Sequence, residues 1–176
     1  MFSWIESLPP GHQGTVRTLQ VMRWLCRRDY NSDFVRTFAQ HLLQASRPEK
    51  PKDPVETFFL FARDQIKFRE DEGPNGESDV ERIADFKTTT ELRWGDCDDK
   101  VIWLGTSLLN RGIGCRFRVQ SYGRQTWDHV YLDYWDWGHF RWIALDPTAD
   151  GHTGIVAEIG WRQPLGPMGL EMIYPI

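Results

Sequence analysis

A cysteine, a histidine and an aspartate occur in that order, each where a different element is expected to begin or end. They are Cys97 in Gly95-Asp96-Cys97-Asp98-Asp99, His129 in Trp127-Asp128-His129-Val130, and Asp146 in Ala144-Leu145-Asp146-Pro147-Thr148. Nucleophilic catalysis needs a thiol, a base to take and return its proton, and a carboxylate to orient that base. The order constrains the fold, because a helix start must face a strand pair for the three to meet.

The spacing predicts a helix over 96–110, with Val101, Leu104 and Leu108 on an apolar stripe. Asp96 serves as its N-cap and Gly112 as its stop, with Arg111 near the negative end of the dipole. Cys97 then lies in the first turn, where backbone N–H groups favour a thiolate and can bind a developing oxyanion. The carboxylates of Asp96, Asp98 and Asp99 oppose that charge, and a protonated histidine partner has to outweigh them.

After Gly114 the pattern changes to period two. Phe117 and Val119 alternate with Arg116 and Arg118; Val130, Leu132 and Tyr134 alternate with His129, Tyr131 and Asp133; Phe140, Trp142 and Ala144 make a third run. Three antiparallel strands are expected. A two-residue loop at Trp137-Gly138 pairs Asp136 with His139 and therefore sets His129 directly opposite Asp146; a four-residue loop over 136–139 preserves that register. Residues so placed have Cβ atoms roughly 4.5–5.5 Å apart, close enough for an Asp–His hydrogen bond. Each residue also has a structural reading: a core cysteine, a packed strand histidine, and a turn at Asp-Pro-Thr. Their combination in matching register favours chemistry.

On these residues the chain resembles the transglutaminase-like cysteine peptidase superfamily, of the bacterial and tailed-phage type. The stretches that carry the resemblance are Arg93 to Asp99, the Gly-Ile-Gly-Cys-Arg-Phe-Arg-Val segment from Gly112, the His129-Val130-Tyr131 strand and Trp142 to Thr148. The resemblance covers roughly residues 54–150. It implies an α+β, papain-like core with N-terminal helices and a nucleophile-bearing helix packed on an antiparallel sheet. It also implies that Cys97 attacks an amide carbonyl, His129 transfers protons and Asp146 orients His129. Some bacterial members bind calcium through acidic residues flanking the cysteine. Asp96 and Asp98 occupy those positions, though capping and solvation of the helix turn explain them as well, and no metal or other cofactor is expected.

The expected activity is hydrolysis of amide bonds, peptide bonds first, through a thioester. Water or an amine can attack that thioester, so a glutamine transamidase or deamidase is the alternative. A non-catalytic phage or bacterial assembly protein retaining the fold is the other. Trp94 is expected to wall the substrate cleft. Gln65 is a candidate oxyanion donor, but no motif aligns it to that role and a solvated helix residue is the stronger reading.

Composition sets the remaining bounds. A chain of 176 residues, 40% hydrophobic and 26% charged, reads as one globular domain. It divides into a helical extension over 1–53, a core over 54–150 and a tail over 151–176. The net charge of −4, with both signs interspersed, offers nucleic acid no electrostatic footprint, and no apolar run suits a membrane. Three cysteines without metal-ligand spacing suit a reducing compartment. Cys26 and Cys115 read as core residues. The expectation is the cytoplasm of a bacterium or infected host, with a virion component as the variant. The first residues lack the basic flank and apolar run of a secretory signal.

Helices are expected over 14–29, after Asn31-Ser32, and from an Asp53 N-cap with Pro54 at the first position. Glu70 to Ser78 reads as an exposed loop. Nine tryptophans, several of them late in the chain, suggest core packing and an aromatic groove wall. The tail shows little periodicity, yet Trp161, Leu165, Met168, Leu170, Met172 and Ile173 are too apolar for a free linker. It is expected to pack on the core or on a protein partner, or to gate the cleft.

Overall fold

Helix α5 (Cys97–Asn110) is buried along nearly its whole length, from Asp98 to Leu108, so every other layer is arranged around it. In the computed structural model the described residues are 3–6, 11–45, 53–71, 81–121, 129–148, 158–161, 165 and 169–176. Helices α1 (His12–Asp29), α2 (Asp33–Gln44), α3 (Pro54–Asp64) and α4 (Phe86–Leu92) pack against α5. Their starts follow from local chemistry. The Ser32 hydroxyl accepts from Val35 N–H, the Asp53 carboxylate from Val55 N–H with Pro54 behind it, and the Asp85 carboxylate from Thr88 N–H. Each cap is worth about 1 kcal/mol.

Trp103 is the hub of the helical side. Its indole stacks on Phe61 at 4.8 Å and on Phe86 at 5.2 Å, and its N–H donates to the Thr90 hydroxyl at 2.8 Å. A buried tryptophan thus has its one polar atom satisfied, which removes the cost of enclosing it. Leu19, Met22, Leu25 and Cys26 of α1 recur at helical spacing and belong to the same core.

The opposite face of α5 meets a four-stranded sheet of β5 (Cys115–Ser121), β6 (His129–Asp136), β7 (Arg141–Leu145) and β8 (Leu170–Pro175), in the order β7-β6-β5-β8. Every neighbouring pair is antiparallel. Cys115, Phe117, Val119, Val130, Leu132 and Leu145 form its core face. Arg116, Arg118, Gln120, His129, Tyr131 and Asp133 share the other face, as period two requires. Two small strand pairs complete the sheets among the described residues. In one, β1 (Ser3–Glu6) runs antiparallel to β3 (Glu81–Ala84); in the other, β2 (Lys67–Phe68) runs parallel to β4 (Trp94–Gly95).

Two expectations need correction. The loop between β6 and β7 is Trp137–Phe140, and Asp136 pairs with Arg141 rather than with His139. Asp136 accepts from Gly138 N–H and from the His139 ring, and Phe140 takes a left-handed φ of 51° to close the four-residue turn. The register therefore differs by two residues from the predicted one. The tail also ends in a regular strand: β8 extends the main sheet along β5, and Arg27 donates to the Ile176 carbonyl at 3.1 Å. Most of the expected 70–78 loop, Trp127, and residues 151–157, 162–164 and 166–168 lie outside the described residues.

Candidate active site

Gly114, just past the carboxyl end of α5, accepts a hydrogen bond from Trp135 N–H at the end of β6. Gly105, at mid-helix, lies against Leu132. Helix α5 thus runs in the same direction as β6, and its amino end, which carries Cys97, extends toward the end of the sheet where His129 stands.

Cys97 is half-buried in the first turn. The Asp96 carboxylate caps that turn, accepting from Asp98 N–H at 3.2 Å and Asp99 N–H at 3.4 Å. A glycine at position 95 is obligatory for close approach. A Cβ there would stand 2.5 Å from the Asp99 Cβ and 2.7 Å from its Oδ2.

His129 Nε2 lies 2.8 Å from Asp146 Oδ2, and both side chains are buried. Continuing the observed register sets Asp146 opposite Tyr131, diagonal to His129 rather than facing it. A slip of two residues preserves the face, whereas a slip of one would have separated the side chains. Burial alone would raise the Asp146 pKa. The hydrogen bond and charge of His129, with two donors from Thr148, outweigh it and hold the carboxyl below the usual range. An ionised carboxylate only accepts hydrogen bonds, so Nε2 carries the proton and Nδ1 is the basic nitrogen.

Two supports of this pair escaped the sequence reading. Thr148 donates its N–H (3.1 Å) and its hydroxyl (2.7 Å) to Asp146 Oδ1. The Tyr131 ring stacks on the imidazole at 6.0 Å, and its hydroxyl donates to Glu171 of β8 at 3.2 Å. The Thr148 N–H had a local signal, since an Asp side chain commonly accepts from the backbone two residues on. Glu171 had none, because a long-range strand pairing brings it there. Glu171 also accepts from Gln120 and Arg118, and Asp133 accepts from Arg116 and Arg118, so the His129 face of the sheet is a connected polar network.

Trp94 lies beside α5 with the guanidinium groups of Arg69 and Arg82 over its ring, at 4.7 and 4.5 Å. Gln65 is the exposed C-cap of α3. Carboxylate oxygens of Asp96, Asp98 and Asp99 gather within 4.8 Å of one another. Asp99 accepts from Ala84 N–H at 2.6 Å and from Arg82 at 3.4 Å. Burial and then the Asp96 charge raise its pKa well above the usual value. Asp71, also bridged to Arg82, is pushed up to about 6 by burial and then by Asp96. Cys26 and Cys115 are buried inside; burial pushes the Cys26 thiol up to about 12 and raises Cys115 as well.

No protein-family model matches the chain, and no curated protein matches it. Solved structures do. A structure named as a putative protease from Parabacteroides distasonis ATCC 8503 superposes with a TM-score of 0.51 at 14% identity, over 71% of this chain and 25% of that one. One named as a putative cysteine protease from Cytophaga hutchinsonii gives 0.49 at 14% identity, over 85% and 53%. The periplasmic domain of TgpA from Pseudomonas aeruginosa gives 0.44 at 19% identity, over 72% and 49%. The chain spans a quarter to about half of these proteins. At such identities the likeness is one of fold: an α+β architecture shared with the first of these structures. No helix among the described residues is long and apolar enough to cross a membrane.

Proposed function

We propose that the chain is a cysteine hydrolase of the transglutaminase-like superfamily acting on amide bonds of a protein or peptide. The observation that carries the reading is the buried His129–Asp146 hydrogen bond, formed at the end of the sheet toward which the amino end of α5 extends.

Cys97 Sγ attacks the substrate carbonyl carbon while His129 Nδ1 takes the thiol proton. The tetrahedral intermediate collapses with cleavage of the C–N bond, and the imidazolium returns the proton to the departing amine. A thioester remains on Cys97. Water then attacks it, His129 takes the water proton, and collapse releases the carboxylic acid and regenerates the thiol. Asp146 stays ionised throughout, holding Nε2–H and stabilising the imidazolium. The Asp96 cap engages the Asp98 and Asp99 N–H groups, which withdraws those two from oxyanion binding.

A thiol-reactive acyl probe tests the reading on the intact protein. Cys97 is labelled selectively, because Cys26 and Cys115 are buried and their thiols resist ionisation. Labelling is lost in His129→Ala. Equal labelling of all three thiols, or labelling of Cys97 indifferent to His129, overturns the proposal and favours a binding module.

A further inference from the structure

We infer that Thr148 is a positioning residue for the His129–Asp146 pair: its N–H and hydroxyl together hold one carboxylate oxygen and leave the other to the imidazole, and the hydroxyl is the stronger of the two holds. The inference rests on the proposed catalytic use of that pair.

Asp146 is 1% exposed, so protein donors must satisfy its carboxylate. They divide cleanly. Oδ1 receives the Thr148 N–H and hydroxyl, and Oδ2 receives His129 Nε2. Pro147 has no N–H, so the turn offers Asp146 the backbone donor of Thr148 and no nearer one. Rotating the carboxylate would break both Thr148 bonds, and the imidazole therefore meets a fixed oxygen. Thr148 is itself fully buried, and its Oγ1 lies 3.4 Å from His129 Nε2, beside the very bond it supports. A hydroxyl committed to Oδ1 also favours the ionised carboxylate, and an ionised carboxylate keeps the proton on Nε2. The substitution that isolates this role is Thr148→Val, which removes the hydroxyl, preserves the backbone N–H and nearly preserves volume.

In Thr148→Val the Asp146 carboxyl, followed by carbon-13 NMR, titrates at higher pH than in the parent. Nitrogen-15 shifts show His129 losing part of its Nε2–H tautomer. The acylation rate of Cys97 falls about 10- to 100-fold with little change in KM, the size expected for one hydrogen bond to a charged group. Thr148→Ser restores all three. An unchanged Asp146 titration and tautomer in a folded Thr148→Val protein overturns the inference. If that variant does not fold, the parent decides. A Thr148 hydroxyl proton protected from exchange and coupled to Asp146 supports the role, and its absence refutes it. The titration and tautomer do not depend on turnover, so a parent in which Cys97 is never acylated defeats the proposed function while these signals still judge Thr148.

Discussion

Asp99 and Asp146 are equally sealed from solvent, at 0% and 1% exposure, yet their ionisation is pushed in opposite directions. Burial acts on both in the same sense. Their company differs. Asp146 meets a histidine and two Thr148 donors. Asp99 has one backbone donor and an Arg82 that it shares with Asp71, and it faces the Asp96 and Asp71 carboxylates. A buried carboxylate is therefore not in itself a catalytic signal; the sign of its neighbours decides whether it is kept charged. At the sheet end that arrangement yields an acceptor for an imidazole. Beneath the amino end of α5 it yields a clasp between α5 and β3.

The same substitution at the two sites gives the largest contrast. Asp146→Asn should lower Cys97 acylation by about 10³ to 10⁴, because an amide can present N–H to Nε2 and favour the wrong tautomer. Asp99→Asn should leave acylation within about threefold and change stability by less than about 1 kcal/mol, as the amide oxygen still accepts from Ala84. Comparable losses at both positions in acylation kinetics would erase the distinction.

Much of this arrangement is legible in the chain, for reasons that are local. Asp53-Pro54, Ser32 and Asp96 announce helix starts through side chains that reach their own backbone, and each caps the predicted helix. Cys97 therefore falls in the expected turn. His129 and Asp146 meet on the expected face because alternation survives a two-residue slip, although the left-handed Phe140 that set the register carries no sequence mark. What local reasoning missed is what distant pairing creates: β1 on β3, β8 on β5, and with them Arg82 on Asp99 and Glu171 on Tyr131. In the tail, Leu170, Met172 and Tyr174 do alternate, but only partnership with β5 makes that short run a strand.

Packing sharpens the contrast at the Asp99 end. Gly95→Ala would place a methyl 2.5 Å from the Asp99 Cβ, an atom held by a buried helix and unable to swing away. Overpacking of this kind costs typically 1–3 kcal/mol, read as a lower urea midpoint with an unchanged slope. A methyl tolerated without loss would mean that β4 and α5 are less tightly apposed than their geometry requires.

The pH dependence of stability separates the two carboxylates by sign. The lowered Asp146 contributes stability above its unfolded pKa of about 3.9, lost as pH falls through its still lower folded value. Asp99 and Asp71 do the reverse. Their contribution is complete below about 4 and is lost as pH rises, for Asp71 through about 6. Urea midpoints measured from pH 4 to pH 8 should thus decline across this window, and Asp99→Asn should flatten part of the decline. A slope indifferent to that substitution would mean that Asp99 titrates like an ordinary carboxylate.

The smallest expected effect concerns calcium at the acidic end. Asp96, Asp98 and Asp99 are close enough to share a cation, but their oxygens already serve the fold: Asp96 caps α5, Asp98 accepts from Asp99 N–H, and Asp99 holds Ala84. Calcium takes 6–8 oxygens, so it would have to compete with the helix cap and with Arg82 for these three side chains. We therefore expect calcium and chelator to leave both the melting temperature and Cys97 acylation unchanged. The measurement is sensitive. A cation at a hundred times its dissociation constant would add about 2.7 kcal/mol to stability, several degrees in a domain of this size. A shift of that order, abolished in Asp98→Asn but kept in Asp146→Asn, would show that the clustered charge beneath α5 is a ligand set. The two ends of the site would then differ in a further way, one holding a base in place and the other a metal.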